Sequence, residues 1–191
     1  MAFIPQGTLS KMGFAHLGEN VLISDKASIY NCREISIGSN VRIDDFCVLS
    51  AGVGGIRLGD YIHIAVYTSL IGAGKITLCD FSNISSRVGI YSSNDDYSGN
   101  TMTNPTVLDE YKAVVHKDVF LGKHVVVGSG SVILPGATLE EGVAIGALSV
   151  VSKKCGAFGI YGGNPVRRIK ERKKNLLALE KEFLSHVNQR H

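Results

Sequence analysis

The sequence predicts an all-β solenoid: a parallel β-helix of about six turns, with one long loop insertion and a C-terminal α-helix. Three observations carry this reading: a six-residue aliphatic repeat, abundant glycine with little proline, and two definite places where the repeat stops. From residue 121 the period is unbroken, with Leu121, Val127, Ile133, Leu139, Ile145 and Val151 leading six successive hexads. Four residues after each lead stands Val125, Ser131, Ala137, Val143, Ser149 or Cys155. Upstream the hexads come in blocks of three: Leu17, Ile23, Ile29; Ile37, Ile43, Leu49; Leu58, Ile64, Leu70; Leu78, Ile84, Ile90. Every one of these leads is Ile, Leu or Val. Between blocks the spacing slips by two or three residues.

The elements follow in order. Residues 1–16 read as an N-terminal lead-in, and residues 17–165 as the β-helix. Three hexads make one triangular turn, each giving a short strand and a corner. The lead and the small residue four places later point inward. Turns stack at the strand spacing of about 4.8 Å, so six make a prism roughly 29 Å tall, a solenoid with one continuous core. Glycine, 22 of 191 residues, supplies corner conformations. Residues 92–117 contain no hexads, and an insertion of that length in a compact domain is usually functional or disordered. After Gly162-Gly163-Asn164-Pro165 the spacing changes. Ile169, Leu176, Phe183 and Leu177, Leu184 recur at seven with Lys and Arg between them. That spacing predicts an amphipathic helix over 166–188, within a C-terminal segment 166–191.

Composition excludes several classes. Charged residues are 19% and hydrophobic ones 45%, which fits a globular chain rather than a rod or a disordered tail. No apolar run reaches the roughly 18 residues of a membrane span, and Met1 to Ser10 lacks the pattern of a secretory signal. The net charge of +3 is concentrated near the C-terminus, which argues against a nucleic-acid-binding face. Cys32, Cys47, Cys79 and Cys155 form no C-x-x-C, so a reducing, cytoplasmic compartment is expected.

The hexads resemble those of the hexapeptide-repeat acyltransferases, over about residues 17 to 170. The resemblance implies a left-handed coil, a homotrimer, and an acyl-coenzyme A donor, here acetyl-CoA. It places the sites between neighbouring subunits, beside the long loop. The acceptor would be a sugar of surface-polysaccharide synthesis, through either a hydroxyl or the amine of a nucleotide-linked amino sugar.

Such a reaction needs a proton acceptor for the nucleophile and a donor for the thioester oxygen. In galactoside and maltose acetyltransferases a histidine at the start of the loop is the base. Laying Leu78-Cys79-Asp80 on the family's Ile-Gly-Asp hexad without gaps brings Asp95 to its place. An ordinary aspartate, with a pKa of about 3.9, is a weak base for a sugar hydroxyl, so the substitution tilts the acceptor towards an amine. Asn94, Asp96 and Tyr97 beside it are candidate acceptor contacts, although Asn-Asp-Asp also forms turns. A second candidate base is His63. Gly59-Asp60-Tyr61-Ile62-His63-Ile64-Ala65 resembles a segment of bacterial nucleotide-sugar N-acetyltransferases, but the Glu-His pair those enzymes carry about ten residues earlier is missing from Leu49 to Gly54.

For the coenzyme, Val151-Ser152-Lys153 resembles the family's Val-Thr-Lys, whose lysine approaches the phosphates. Gly163-Asn164-Pro165-Val166-Arg167-Arg168-Ile169 resembles the segment packed on the adenine end, which implicates Pro165 and Arg168. Gly128, Gly146 and Ala147 match the pantetheine track, although hexad corners favour glycine regardless. Cys47 and Cys155 fall at inward positions and are not nucleophiles. No metal is expected. Two other readings use the same repeat. A γ-class carbonic anhydrase would need three histidines on one metal, with His63, His116 and His124 available. A non-catalytic scaffold would need neither the loop nor the basic tail.

Overall fold

The computed structural model describes residues 2–189. Each hexad forms a short strand and a turn, and successive strands fall on three different faces. The first face stacks His16–Leu17, Ile35–Ile37, Ile56–Leu58, Ile76–Leu78, Val119–Leu121 and Thr138–Leu139. The second runs from Leu22–Ile23 to Gly159–Gly162, and the third from Ser28–Tyr30 to Val150–Val151. Pairing along each face is parallel until the end of the second, where Arg167–Glu171 folds back antiparallel on Gly159–Gly162. The solenoid has about seven turns rather than six, because the Gly159–Gly162 strand adds a partial one.

Of the hexad leads, sixteen are buried at 4% exposure or less; Leu17 and Ile29, at the N-terminal end, are half-buried. A helix of four residues, Gln6–Leu9, lies at that end and sinks Leu9 completely into the core. The slips between blocks have one location. Leu17 pairs with Ile37, Ile37 with Leu58 and Leu58 with Leu78, so early turns need 20 or 21 residues; Leu121 pairs with Leu139 after 18. The extra residues lie between the third and first faces, at Asn31–Glu34, Gly52–Gly55 and Gly72–Lys75. The insertion 92–117 leaves the solenoid at the same corner.

At the opposite corner, between the first and second faces, Asn20, Asn40, Tyr61, Phe81, His124, Gly142 and Phe158 hold left-handed φ angles between 50° and 69°. Tyr61, Phe81 and His124 follow one another there at the strand repeat, which is also a stacking distance. Tyr61 and Phe81 stack at 4.9 Å, and Phe81 and His124 at 5.1 Å.

The expected helix over 166–188 is corrected by the structure. Arg167–Glu171 is an exposed strand, and the helix spans only Leu176–Asn188. The free edge of Gly159–Gly162 takes up the backbone of 167–171, an option that helical periodicity cannot register. The helix docks on the aromatic corner: Phe183 meets Tyr61 edge-on at 5.2 Å, and Glu180 pairs with Lys123 and, at 2.7 Å, with His124 Nε2.

Candidate active site

The loop leaves and rejoins the coil through a narrow base. Lys117 N–H donates to Ser92 O at 3.0 Å, and Ser93–Asn94 pairs antiparallel with Val115–His116. Ser92 Oγ, fully buried, donates to Gly74 O at 2.7 Å. Ser93 Oγ accepts the Ala73 amide at 2.7 Å and lies 2.8 Å from His116 Nδ1. Both arms are therefore pinned to the preceding turn. Gly72, at φ 143°, has no room for a side chain there, since an added Cβ would lie 2.3 Å from Ser92 Oγ.

Immediately past this base a cleft of about 370 Å³ opens, lined by Tyr91, Ser93, Asn94, Asp95, Tyr97, Val114, Val132 and Leu134. A second, of about 300 Å³, is lined by Asn94, Val115, Lys117, Leu134, Pro135 and Ser152. Asn94 and Leu134 belong to both. Asp95 is the carboxylate of the first cleft, and neither its side chain nor that of Asn94 makes a hydrogen bond among the described residues.

The neighbouring Asp96 does not line either cleft. Its carboxylate accepts from Ser98 N at 2.8 Å and from Thr101 N and Oγ1 at 3.0 and 3.1 Å. Those bonds, that of Ser98 first, hold its pKa at about 2. It shapes the loop. Sequence reasoning had missed Ser93, Tyr91, Val114, Val132 and Leu134. Val132 and Leu134 flank the inward Ile133, so outward apolar residues on one face were the available signal.

His63 stands on the second face, in register with Arg42 and Asn83, and the structure does not bring it to the cleft of its own chain. Both ring nitrogens are engaged: Nε2 lies 2.9 Å from Asp44 Oδ2 and Nδ1 3.2 Å from Asn83 Oδ1. Burial of Asp44 would raise its pKa, but the bonds from His63 and Arg42 hold it below the ordinary carboxylate range. The histidines weighed for a metal lie apart, His63 with Asp44, His116 with Ser93 and His124 with Glu180. Among the described residues no cluster of three or more His, Cys, Asp or Glu side chains suits a metal ion. Cys47 and Cys155 are fully buried, and burial pushes the Cys47 thiol up to about 11.

The residues expected at the coenzyme lie at the C-terminal end of the solenoid. Gly128 stacks under Gly146 and Ala147, and an added Cβ would lie 2.5 Å from Ala147 N. Packing alone demands glycine at 128. Gly146 is different: an added Cβ there meets nothing closer than Tyr161 O at 3.5 Å. Lys153 follows Ser152 of the second cleft, Pro165 follows a cis bond from Asn164, and Arg168 pairs with Glu171 at 2.5 Å. No helix among the described residues is long and apolar enough to cross a membrane.

No protein-family model matches the chain. It is 60% identical over 183 residues to a dTDP-4-amino-4,6-dideoxy-D-glucose acyltransferase of Escherichia coli, covering 96% of this chain and 95% of the relative. The structure superposes, with a TM-score of 0.93, on AntD, an N-acyltransferase from Bacillus cereus solved in complex with dTDP and 3-hydroxybutyryl-CoA; identity is 50%, over 97% of this chain and 98% of AntD. A maltose O-acetyltransferase from Clostridium difficile, 21% identical over 88% of this chain and 75% of its own, shares the fold with a TM-score of 0.60. With the repeat, the cleft and these likenesses together, the chain belongs to the hexapeptide-repeat acyltransferases, in the family of the dTDP-4-amino-4,6-dideoxy-D-glucose acyltransferase.

Proposed function

We propose that this acyltransferase transfers an acyl group from acyl-CoA to the 4-amine of a dTDP-linked 4-amino-4,6-dideoxy sugar. The observation that carries this is a carboxylate, rather than an imidazole, at the head of the loop cleft. A neutral amine attacks a thioester without prior deprotonation, so it needs only a hydrogen-bond acceptor to orient it and take its proton, whereas a hydroxyl needs a stronger base. The relatives point the same way: the curated one is named for that amino sugar, and a serine-to-alanine variant of AntD was solved with dTDP-4-amino-4,6-dideoxyglucose and coenzyme A.

Asp95 is the group we assign to receive the proton. AntD has been solved with substitutions at a serine and at an aspartate ten residues after it. This chain has such pairs at Ser50 with Asp60, Ser85 with Asp95 and Ser86 with Asp96. Asp60 accepts the Ser39 amide at 2.7 Å and does not line the loop cleft. Asp96 is spent on the loop turns, which leaves Asp95.

The coenzyme is proposed to run past Gly146 and Ala147 towards the second cleft, with Lys153, Pro165 and Arg168 near its nucleotide end. Gly146 supports this, since packing within the chain gives no reason for a glycine there. Assembly into a homotrimer belongs to the same reading. It is supported by exposed Phe46, Tyr67 and Leu148 along the edge between the second and third faces, whereas Phe183 of the last helix packs on its own chain. A cytoplasmic location fits the four free thiols.

The test is thiol release from acetyl-CoA and 3-hydroxybutyryl-CoA with dTDP-4-amino-4,6-dideoxyglucose, with the 4-hydroxy nucleotide sugar alongside. Amine-dependent release with an amide product supports the reading. Release only with the hydroxyl sugar, giving an ester, overturns it.

A further inference from the structure

We infer that the Asn94 side-chain amide donates the hydrogen bond that stabilises the thioester oxygen as the acceptor attacks, an assignment that rests on the acyl-transfer reading above. Acyl-CoA and the acceptor are different molecules, so their reacting atoms meet where two binding spaces join. The two clefts beside the loop share Asn94 and Leu134 in their linings, and of these only Asn94 carries a side-chain hydrogen-bond donor.

The second observation is what the neighbouring polar groups are doing. The Ser93 hydroxyl is held between the Ala73 amide and His116. Asp96 serves Ser98 and Thr101, and Asn104 serves Thr106. The Asn94 amide has no partner among the described residues, although its backbone is fixed by pairing with Val115. A donor whose backbone is held by strand pairing, with no competing partner, is what charge developing on an oxygen requires. No Lys, Arg or His side chain lines the first cleft to take the role instead.

In the step itself, the amine lone pair forms a C–N bond at the thioester carbon and the C=O π pair moves onto oxygen, where Asn94 Nδ2–H donates to it. The oxyanion collapses, the C–S bond breaks with its pair on sulfur, and the proton lost by nitrogen passes through Asp95 to give free thiol and an amide. Only the oxyanion gains from Asn94, so the loss on substitution falls on kcat rather than on substrate binding.

The experiment compares Asn94→Ala and Asn94→Asp with wild type, in amine transfer and in the slow hydrolysis of acyl-CoA by water without acceptor. Hydrolysis passes through the same oxyanion, so it reads the assignment even if the amine is the wrong acceptor. The expected result is a fall of about 100-fold in kcat for both reactions, the range for one lost oxyanion donor. KM for either substrate and the Kd of free coenzyme A should stay within about threefold, and unchanged thermal unfolding reports an intact loop base. Retained kcat with a raised KM for the nucleotide sugar would make Asn94 an acceptor-binding residue and overturn the inference. Wild-type rates in both variants would overturn it too. A wild-type enzyme inert towards the amine, with hydrolysis lost in the variants, would sink the acceptor reading and leave the donor assignment standing.

Discussion

Two glycines on one edge separate what packing requires from what a ligand requires. At Gly128 an added Cβ would lie 2.5 Å from Ala147 N, 2.8 Å from Gly146 C and 2.9 Å from Ala147 Cα, all backbone of the next turn. Relief needs the two turns to part by nearly an ångström, against hydrogen bonds such as Gly128 N–H to Ile145 O at 2.8 Å. Overpacking of this kind costs about 1–3 kcal/mol, and for a chain of this length each kcal/mol lowers Tm by about 2–4 °C. Gly128→Ala should therefore lower Tm by roughly 2–12 °C. At Gly146 the nearest atoms are at 3.5 and 3.9 Å, ordinary contacts. Gly146→Ala should unfold within about 1 °C of wild type, or slightly above it through the stiffer unfolded chain. If the thioester arm passes this backbone, the same variant raises KM for acyl-CoA about tenfold, near 1.4 kcal/mol of lost binding. Differential scanning fluorimetry and steady-state kinetics on both variants, with sedimentation to follow assembly, make the comparison. An unchanged Tm for Gly128→Ala would refute the claim that stacking dictates that glycine. An unchanged KM and an unchanged sedimentation coefficient for Gly146→Ala would remove the coenzyme from this edge.

Three further outcomes are expected. Asp95→Asn keeps the shape of the cleft but removes the proton acceptor, and kcat for amine transfer should fall by about 10²–10³-fold; a loss below tenfold in steady-state assays would send the proton to the leaving thiolate instead. His63→Ala leaves the buried Asp44 with one partner fewer and should lower stability by about 1–3 kcal/mol in urea melts, with kcat within threefold; a kcat loss above tenfold would reinstate His63 as the base. Asp44 and Glu180 both have folded-state pKa values below the ordinary carboxylate range: burial opposes this in each, and His63 with Arg42, or Lys123 with His124, outweighs it. Their contribution is thus present above the unfolded carboxylate pKa of about 4 and is lost as pH falls through the depressed values. Glu180→Gln should flatten the acid limb of the Tm-against-pH curve, and an unaltered limb would show that the helix clasp carries none of it.

The solenoid was legible because its core is one-dimensional: every inward lead faces the same residue type one turn away, so a period of six writes the fold directly. The helix boundary was not. Ile169, Leu176 and Phe183 share a heptad spacing, yet Ile169 is an exposed strand residue and Phe183 a docking contact. What separated them was a free sheet edge at Gly159–Gly162, a tertiary feature. Around the site, counting from Leu78-Cys79-Asp80 singles out Asp95, and Asp95 lines the loop cleft. Asp96 reads in sequence as an acceptor contact, whereas its carboxylate is held by Ser98 and Thr101 and does not line the cleft. The anchoring by Ser93 and His116 joins residues 23 apart through a two-residue ladder, too short to leave a pattern.

The most direct test of the account is the product formed by purified protein from acyl-CoA and dTDP-4-amino-4,6-dideoxyglucose, followed by thiol release and mass spectrometry. Amine-dependent release of coenzyme A is expected, with a nucleotide sugar heavier by one acyl group in amide linkage, stable to hydroxylamine. No transfer to the amine, with an ester formed on a 4-hydroxy sugar, would contradict it.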